Sequence, residues 1–276
     1  MRVALYQART GIDPAANAAD LARAVEQAAQ GGAAMLFTPE MSGLLDRDRD
    51  RARPNLRLES DDLVLAAVRD AAAARRIWVH LGSLALLGEK EDSRLVNRGL
   101  VIDGAGAIRA RYDKIHLFDV DLPTGESWRE SASYAPGETP VVAETPLGLL
   151  GLSICYDLRF PDLYRALTGA GATLLSIPAA FTVPTGRSHW HVLQRARAIE
   201  AGVFVIAAAQ SGLHEDGRET FGHSLVVDPW GEVLLDMGEE PGLGFADIDP
   251  ARVDDVRARL PVIAHRRPIP APARAR

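Results

Sequence analysis

Cysteine is nearly absent from this chain, because its 276 residues include only one, Cys155. A single cysteine cannot form an intrachain disulfide, which favours a reducing, cytoplasmic location. The seven histidines are scattered along the chain, and His189 and His191 lack both the HExxH spacing and the neighbouring cysteines of zinc sites. We therefore expect no disulfide, no metal site and no cofactor.

Long apolar runs and an excess of positive charge are missing as well. No run reaches the roughly 18 residues of a membrane-spanning helix, and residues 1–8 are typical of a strand rather than a signal peptide. The 31 basic and 37 acidic residues give a formal net charge of −6, which is unfavourable for binding the phosphate backbone of nucleic acids. We expect a small-molecule partner, and neither a membrane nor a nucleic acid.

Short apolar runs alternate with longer stretches of helical period, which is the pattern of an α/β protein. No linker divides the chain, so we predict a single domain over residues 1–265. The tail 266–276 is rich in proline and arginine and is expected to be extended or disordered. Strands are predicted at 3–8, 34–38, 77–86, 95–102, 107–112, 148–154, 173–177, 203–209, 224–227 and 232–236, and helices at 17–30, 62–75, 162–168 and 188–201.

Cys155 stands where the predicted strand 148–154 turns into a helix. Helix N-termini carry partial positive charge, so a cysteine at this place is expected to have a lowered pKa and to point outward as a nucleophile. The alternative is an inert residue, since free cysteines are commonly buried as small hydrophobic side chains. The choice between a nucleophilic and an inert Cys155 depends on whether the chain also provides a base and an oxyanion donor.

Two charged residues follow predicted strands in positions suited to that chemistry. Glu40 comes after Pro39 at the carboxyl end of a strand, where open α/β sheets gather their functional loops. Lys114 follows another strand and has apolar neighbours on both sides. Each alone is typical of a solvated surface charge. Together with Cys155 they provide a base, a cation for an oxyanion and a nucleophile.

These residues stand in segments that resemble the nitrilase superfamily of carbon–nitrogen hydrolases, over nearly the whole chain. The family signatures match Pro39-Glu40, the segment 112–117 around Lys114, and the segment 155–161 that Cys155 opens. A further family glutamate, which positions the lysine and the substrate, matches Glu130. Segments of the C-terminal half resemble the branch of deaminated-glutathione amidases and ω-amidases, among them Ala179-Ala-Phe-Thr182, Ala207-Ala-Ala-Gln210 and Val226-Val-Asp-Pro-Trp-Gly231.

The resemblance implies an α/β fold built as a four-layer α-β-β-α sandwich of the carbon–nitrogen hydrolase type. It further implies a homodimer or larger homo-oligomer and the absence of a cofactor. The implied reaction is amide hydrolysis through a thioester, in which Glu40 takes the thiol proton, Cys155 attacks the carbonyl and ammonia leaves. Lys114 and the backbone N–H of Tyr156 would hold the oxyanion.

The expected substrate pocket leaves one role open. Phe181 and Thr182 are expected to contact the substrate, by the same resemblance. Arg159 could neutralise a substrate carboxylate, or it could form a local structural pair with Asp157 or Asp162, because a guanidinium serves both roles. The sequence does not choose between these two alternatives.

Three functions are compatible with the sequence. The leading one is hydrolysis of a small carboxylate-bearing amide of the deaminated-glutathione type, and the runner-up is an ω-amidase that acts on 2-oxoglutaramate or 2-oxosuccinamate. The third is a catalytically inactive binding or scaffold protein on the same fold, against which the joint presence of Glu40, Lys114 and Cys155 counts. His191 replaces a glutamate of many relatives, which leaves the pocket details open, and His223 is expected to be structural.

Overall fold

Two six-stranded β-sheets dominate the computed structural model, which describes residues 1–88, 94–121, 125 and 127–274. Its strands are β1 (Arg2–Gln7), β2 (Met35–Phe37), β3 (Trp78–Leu87), β4 (Leu95–Ile102), β5 (Ile108–Asp113), β6 (Asp119–Asp121), β7 (Ser127–Arg129), β8 (Val142–Thr145), β9 (Gly148–Leu152), β10 (Leu174–Ser176), β11 (Phe204–Ala207), β12 (Ser211–Leu213), β13 (Glu219–Phe221), β14 (Leu225–Val227), β15 (Val233–Asp236) and β16 (Gly242–Asp247).

The helices lie between these strands in the chain. The α-helices are α1 (Pro14–Gln30), α2 (Arg49–Ala52), α3 (Leu63–Arg75), α4 (Pro161–Gly169), α5 (Val183–Ala201) and α6 (Ala251–Arg259). Short 3-10 helices cover Arg53–Asn55, Glu59–Asp61, Glu130–Ala132 and Cys155–Arg159. Within the described ranges, none of these helices has the length and apolar character needed to cross a membrane.

The first sheet has the strand order β16-β1-β2-β3-β4-β5. Strands β1, β2 and β3 are parallel, whereas β16, β4 and β5 each run antiparallel to their inner neighbour. Successive side chains point to opposite faces of a strand, and in β1 Val3 and Leu5 belong to one apolar cluster and Ala4 to another. The cluster of Ala4 includes Leu21 of α1 and Val68 of α3. These two helices therefore cover the outer face of the sheet.

The second sheet repeats this plan with the strand order β15-β14-β11-β10-β9-β8. Its parallel strands are β9, β10 and β11. Helix α4 packs on β9, where Leu167 lies against Gly151. Helix α5 packs on β11 and β14, and its Trp190 is fully buried. The outer face of the second sheet is therefore also covered by helices.

The inner faces of the two sheets share one core. That core contains Leu5 and Phe37 from the first sheet and Leu150 from the second. The sheets are further joined at their ends by a bridge between Ala8 and Gln210. The layers follow in the order α-β-β-α, so the predicted sandwich is confirmed.

Two differences from the predicted elements, at α5 and β16, have local reasons. Helix α5 begins at Val183 instead of residue 188, because proline is tolerated in the first turn of a helix. Gly186, inside the first turn of α5, lies where a Cβ would be 2.2 Å from Phe221, so glycine is needed for packing. Strand β16 was missed because its glycines are typical of a turn. Residues 266–274 of the predicted tail contain neither helix nor strand, and 275–276 lie outside the described residues.

Candidate active site

Glu40 is placed by the junction between β2 and the loop that follows it. At this junction Gly82 of β3 lies so close that a Cβ would be 2.0 Å from the carbonyl oxygen of Thr38 and 2.5 Å from that of Pro39. The backbone N–H of Gly82 donates to Thr38 Oγ1 at 3.0 Å. Only glycine allows this approach of two strands, and the Glu40 that follows is 4% exposed.

Lys114 leaves the end of β5 and meets two carboxylates in the interior. Its Nζ donates to Glu40 Oε1 at 2.8 Å and to Glu130 Oε2 and Oε1 at 2.9 and 3.1 Å. The lysine side chain is 2% exposed. A charge this deeply buried needs paired and hydrogen-bonded partners. Lys114, Glu40 and Glu130 therefore form one buried ion cluster.

Asn97 belongs to the same cluster, although the sequence analysis missed it. It lies in β4, and its Nδ2 donates to Glu40 Oε1 at 3.0 Å and to Glu130 Oε1 at 3.2 Å. Glu130 is held from another side by the backbone N–H of Phe118, at 2.7 Å from its Oε2. The available sequence signal was weak, since a single asparagine in a strand carries no motif.

Cys155 enters the cluster from the second sheet. Strand β9 ends at Leu152, and Cys155 opens the 3-10 helix with a φ of 49°, a left-handed conformation that residues with a Cβ rarely adopt. Its backbone N–H donates to the carbonyl oxygen of Pro178 at 2.8 Å. The charges of Glu40 and Lys114 act on its thiol. Backbone strain of this kind persists only where surrounding structure fixes it, often at functional sites.

The charged members of the cluster set one another's protonation. Burial alone would raise the pKa of Glu40, but Lys114 outweighs burial and holds that pKa below its usual value. Burial alone would lower the pKa of Lys114, but the charges of Glu130 and Glu40 raise it well above its usual value. At neutral pH, Glu40 is therefore a carboxylate and Lys114 an ammonium ion.

The expectation of a lowered pKa for the Cys155 thiol is wrong. Burial raises that pKa well above its usual value, the charge of Glu40 raises it further, and Lys114 opposes only part of the effect. The helix that Cys155 opens has five residues in 3-10 form, so few aligned peptide dipoles act on the sulfur. The resting site therefore contains a neutral thiol beside a charged carboxylate.

Asp157 holds the turn that follows the cysteine. This residue is fully buried; its Oδ2 accepts the hydroxyl of Tyr112 at 2.7 Å, and its Oδ1 lies 2.6 Å from Nδ1 of His116. The carboxylate is therefore committed to these partners. In the described part of the chain neither Asp157 nor Asp162 pairs with Arg159, so the structure does not bear out the local ion pair considered for that arginine.

Arg159 lies at the rim of the cluster, over aromatic side chains. Its Nη1 is 3.2 Å from Nδ1 of His189. Its guanidinium carbon is 5.3 Å from the ring centre of Phe181 and 5.9 Å from that of Tyr156. No carboxylate pairs with it within the described ranges. The guanidinium thus keeps donors available for an anion.

The remaining predicted pocket residues lie on the loop between β10 and α5. Phe181 is 5% exposed and packs 5.0 Å from Trp190, centre to centre. The residue before it, Ala180, donates its backbone N–H to Glu40 Oε2 at 2.9 Å. Thr182 is the N-cap residue of α5, and its hydroxyl is bonded within the first turn of that helix. Phe181 therefore borders the cluster, whereas Thr182 is engaged in its own helix.

The structure thus brings together the four residues expected to act in catalysis: Glu40, Lys114, Glu130 and Cys155. They supply a nucleophilic atom, a base and a cation in one buried place. Tyr156 and Arg159 border this place. Among the described residues, the set that could hold a metal ion lies elsewhere and consists of His191, His223 and Asp236.

Comparisons with known proteins point to one family. The family model for carbon-nitrogen hydrolase matches residues 2–258. The deaminated glutathione amidase of Yersinia enterocolitica is 38% identical over 269 residues, which cover 96% of this chain and 92% of that protein. The crystal structure of the C. elegans NitFhit protein matches with a TM-score of 0.88 and 38% identity, over 96% of this chain and 65% of that longer one.

A third relative is an amidase from Nesterenkonia sp. AN1. Its structure matches with a TM-score of 0.77 and 30% identity, over 94% of this chain and 98% of that chain. That structure shows the result of Michael addition of acrylamide at the active site cysteine of the amidase. Fold and sequence are therefore shared with named amidases over nearly the whole chain.

Proposed function

The chain belongs to the carbon-nitrogen hydrolase family and is a hydrolase of carbon–nitrogen bonds, and we propose that its substrate is a small amide that bears carboxylates. Relatives named deaminated glutathione amidase, at 38% and 40% identity, support deaminated glutathione as that substrate. The observation that carries the proposal is the meeting of Cys155 with Glu40, a carboxylate that Lys114 holds in its charged form through a hydrogen bond of 2.8 Å.

In the first half-reaction, Glu40 accepts the thiol proton while the sulfur of Cys155 bonds to the amide carbon. The carbonyl oxygen becomes an oxyanion, which Lys114 Nζ and the backbone N–H of Tyr156 stabilise. Glu40 then gives its proton to the amide nitrogen, the carbon–nitrogen bond breaks, and a thioester with a free amine results. Because the thiol is neutral at rest, a base is required rather than merely helpful.

In the second half-reaction, Glu40 accepts a proton from water as the water oxygen bonds to the thioester carbon. The carbon–sulfur bond breaks, and the proton held by Glu40 returns to the sulfur of Cys155. The carboxylic acid product leaves, and the site is restored. Lys114 stays charged throughout, because its raised pKa keeps its proton in place.

The fixed charge of Lys114 is the main electrostatic contribution to this reaction. An oxyanion donor held in position before the reaction is worth about 3 kcal/mol, or roughly a hundredfold in rate. Glu130 and Asn97 act indirectly, because they contact Lys114 and Glu40 and not the substrate. Glu130 holds Lys114 by accepting its Nζ at 2.9 and 3.1 Å, and Asn97 donates to Glu40 at 3.0 Å and to Glu130 at 3.2 Å.

Arg159 is the group that suits a carboxylate of the substrate. Its guanidinium has no carboxylate partner in the part of the chain that the structure describes, and it lies beside Phe181, which borders the cluster. A planar guanidinium binds a carboxylate through two parallel hydrogen bonds. We propose that Arg159 selects anionic amides in this way, with Phe181 as an apolar wall. Thr182 is proposed to shape the pocket through the start of α5.

The leaving group distinguishes the candidate substrates. In deaminated glutathione the amide nitrogen belongs to the cysteine residue, so hydrolysis yields the amine of a dipeptide. The expected release of ammonia applies only to primary amides such as 2-oxoglutaramate or 2-oxosuccinamate, the substrates of the alternative ω-amidase function. An inactive scaffold would release neither product.

We also propose a homodimer or larger homo-oligomer, in a cytoplasmic setting. Support for assembly comes from large apolar side chains that are exposed near each other in the fold: Ile199 of α5 is 43% exposed, Trp230 is 52% exposed and Leu260 is 46% exposed. These residues line one small cavity with Val262. A single reduced cysteine agrees with a reducing compartment.

The test is product release by the purified protein from deaminated glutathione and from 2-oxoglutaramate, with Cys155→Ala as the matched control. We expect dipeptide amine from deaminated glutathione with the unaltered protein and none with Cys155→Ala. Faster release of ammonia from 2-oxoglutaramate would select the ω-amidase alternative. Equal release by both proteins would refute the thiol mechanism, and no release by either would favour the inactive scaffold.

A further inference from the structure

Three side chains far from one another in sequence meet on the outer side of the second sheet. His191 lies on α5, His223 precedes β14, and Asp236 ends β15. His191 Nε2 is 2.9 Å from Asp236 Oδ2, and His223 Nδ1 is 2.8 Å from Asp236 Oδ1. Sequence separations of 45 and 13 residues explain why no motif revealed this group. The proposed catalytic chemistry uses none of these side chains.

The three donor atoms are spaced for one metal ion. All of them lie within 4.8 Å of one another. Two ligand atoms of a tetrahedral zinc ion, each bound at about 2.0–2.1 Å, are about 3.3 Å apart. The two nitrogen–oxygen distances, 2.9 and 2.8 Å to different oxygens of Asp236, are within about half an ångström of that separation.

The surrounding structure holds these side chains in place. Gly238 donates its backbone N–H to Asp236 Oδ1 at 2.9 Å, and His223 donates its own backbone N–H to the carbonyl oxygen of Gly238 at 2.7 Å. The carbonyl oxygen of His223 accepts Nε1–H of the buried Trp190 at 2.8 Å. The ring of Phe221 stacks on that of His223 at 4.5 Å, centre to centre. Donors fixed in this way lose little freedom when an ion binds.

The backbone of His223 adds a separate sign of constraint. Its φ is 54°, in the left-handed region, where histidine is found more often than branched residues but still seldom. The three side chains are 36%, 21% and 34% exposed for His191, His223 and Asp236. An ion at this place could therefore be reached from solvent and could complete its coordination with water.

We propose that His191, His223 and Asp236 form a binding site for Zn²⁺, with water as the fourth ligand. Two imidazole nitrogens and one carboxylate are a donor set that favours Zn²⁺ and related transition metals over Mg²⁺ or Ca²⁺. The bound ion joins α5 to the start of β14 and the end of β15. The site is distinct from the cluster around Cys155, and its existence does not depend on the proposed substrate.

The experiment is a calorimetric titration of the tag-free, chelator-treated protein with Zn²⁺. It uses Cys155→Ala protein, because the single thiol is itself a possible zinc ligand. The second protein carries His223→Asn in addition, since asparagine tolerates the left-handed backbone at this position. The control carries His265→Gln, which removes an exposed histidine outside the site.

We expect one equivalent of Zn²⁺ to bind to the Cys155→Ala protein and to the His265→Gln control. His223→Asn, and in a separate variant His191→Gln, should weaken binding by at least a hundredfold, because each removes a direct ligand. Mg²⁺ should not compete. Binding that is equal in all variants, or absent from the Cys155→Ala protein, would overturn the proposal.

Thermal unfolding provides a second readout, which is independent of calorimetry. An ion that binds only the folded protein raises the unfolding midpoint with its free concentration. At saturating Zn²⁺ we expect an increase of roughly 5 °C in the Cys155→Ala protein and in the His265→Gln control. The same increase in His191→Gln would contradict the site, because that variant removes a ligand and leaves a residue that is compatible with a helix.

Discussion

The structure contains two groups in which a carboxylate meets basic nitrogens, and they differ in depth. In the buried ion cluster, Lys114 is 2% exposed and touches Glu40 and Glu130. In the other group, Asp236 is 34% exposed and touches two histidines. Burial makes the charges of the first group strongly dependent on one another, whereas solvent screens those of the second. Contacts between a carboxylate and basic nitrogens therefore fix the protonation of the buried ion cluster. In the half-exposed group of His191, His223 and Asp236, the same kind of contact leaves the nitrogen and oxygen atoms accessible to an ion from solvent.

The largest effect is expected from Glu40→Gln, which removes the base but keeps the shape of the side chain. Because the thiol is neutral at rest, we expect the rate of amide hydrolysis to fall by roughly a thousandfold to ten-thousandfold. Steady-state amine release measures this loss. Glu144→Gln, an exposed position on β8, is the matched control. A comparable loss in both variants would remove the special role of the buried carboxylate.

A somewhat smaller effect is expected from Lys114→Met. This variant leaves two carboxylates without their cation, so the free energy of unfolding should fall by about 3–5 kcal/mol. Loss of the oxyanion donor should also reduce the rate by roughly a hundredfold. Urea unfolding and single-turnover kinetics measure the two effects separately. If Lys114→Met were as stable as the unaltered protein, the charges of Glu40 and Glu130 would not depend on Lys114.

Acid titration tests the protonation of the buried ion cluster. Since the pKa of Glu40 is lowered from 4.5 in the folded protein, its contribution to stability is complete above about pH 4.5 and is lost as the pH falls through the folded value. The difference in unfolding free energy between the unaltered protein and Glu40→Gln should therefore be constant near neutrality and shrink as the pH falls below 4.5. A difference that grows on acidification would contradict the lowered pKa.

The smallest effect is expected from Asp236→Asn in the absence of added metal. Ion pairs and hydrogen bonds at half-exposed sites contribute less than about 1 kcal/mol to folding, and salt screens them. Urea unfolding at low and high salt should show a small loss that salt reduces further. If Asp236→Asn lowered the unfolding free energy as much as Lys114→Met does, burial would not explain the difference between the two groups.

Sequence reasoning located the main residues of the buried cluster for a physical reason. Glu40, Lys114 and Cys155 each follow a strand, and strand ends of packed sheets gather at shared edges. The alternation of apolar and polar residues also indicated most strands and helices, because the side-chain period of each element is local. Features that depend on neighbouring residues along the chain, such as strands, helices and the residues at strand ends, could therefore be predicted.

The missed features depend on distances between elements. Asn97 joins the cluster only through the register of β4, and the raised pKa of Cys155 follows from its burial and from the charge of Glu40 across two sheets. The meeting of His191 with His223 follows from the packing of α5 on the second sheet. None of these distances is encoded in a short stretch of sequence, so no local pattern could indicate them.

The central claim is that Cys155 rests as a thiol and reacts only when Glu40 takes its proton. The most direct measurement is a pH titration of the ultraviolet absorbance of the thiolate, with Cys155→Ala protein as the blank. The signal belongs to one residue, because the chain has a single cysteine. We predict that the thiolate appears only at alkaline pH, above the range of an ordinary cysteine. A thiolate already present at neutral pH would contradict the claim.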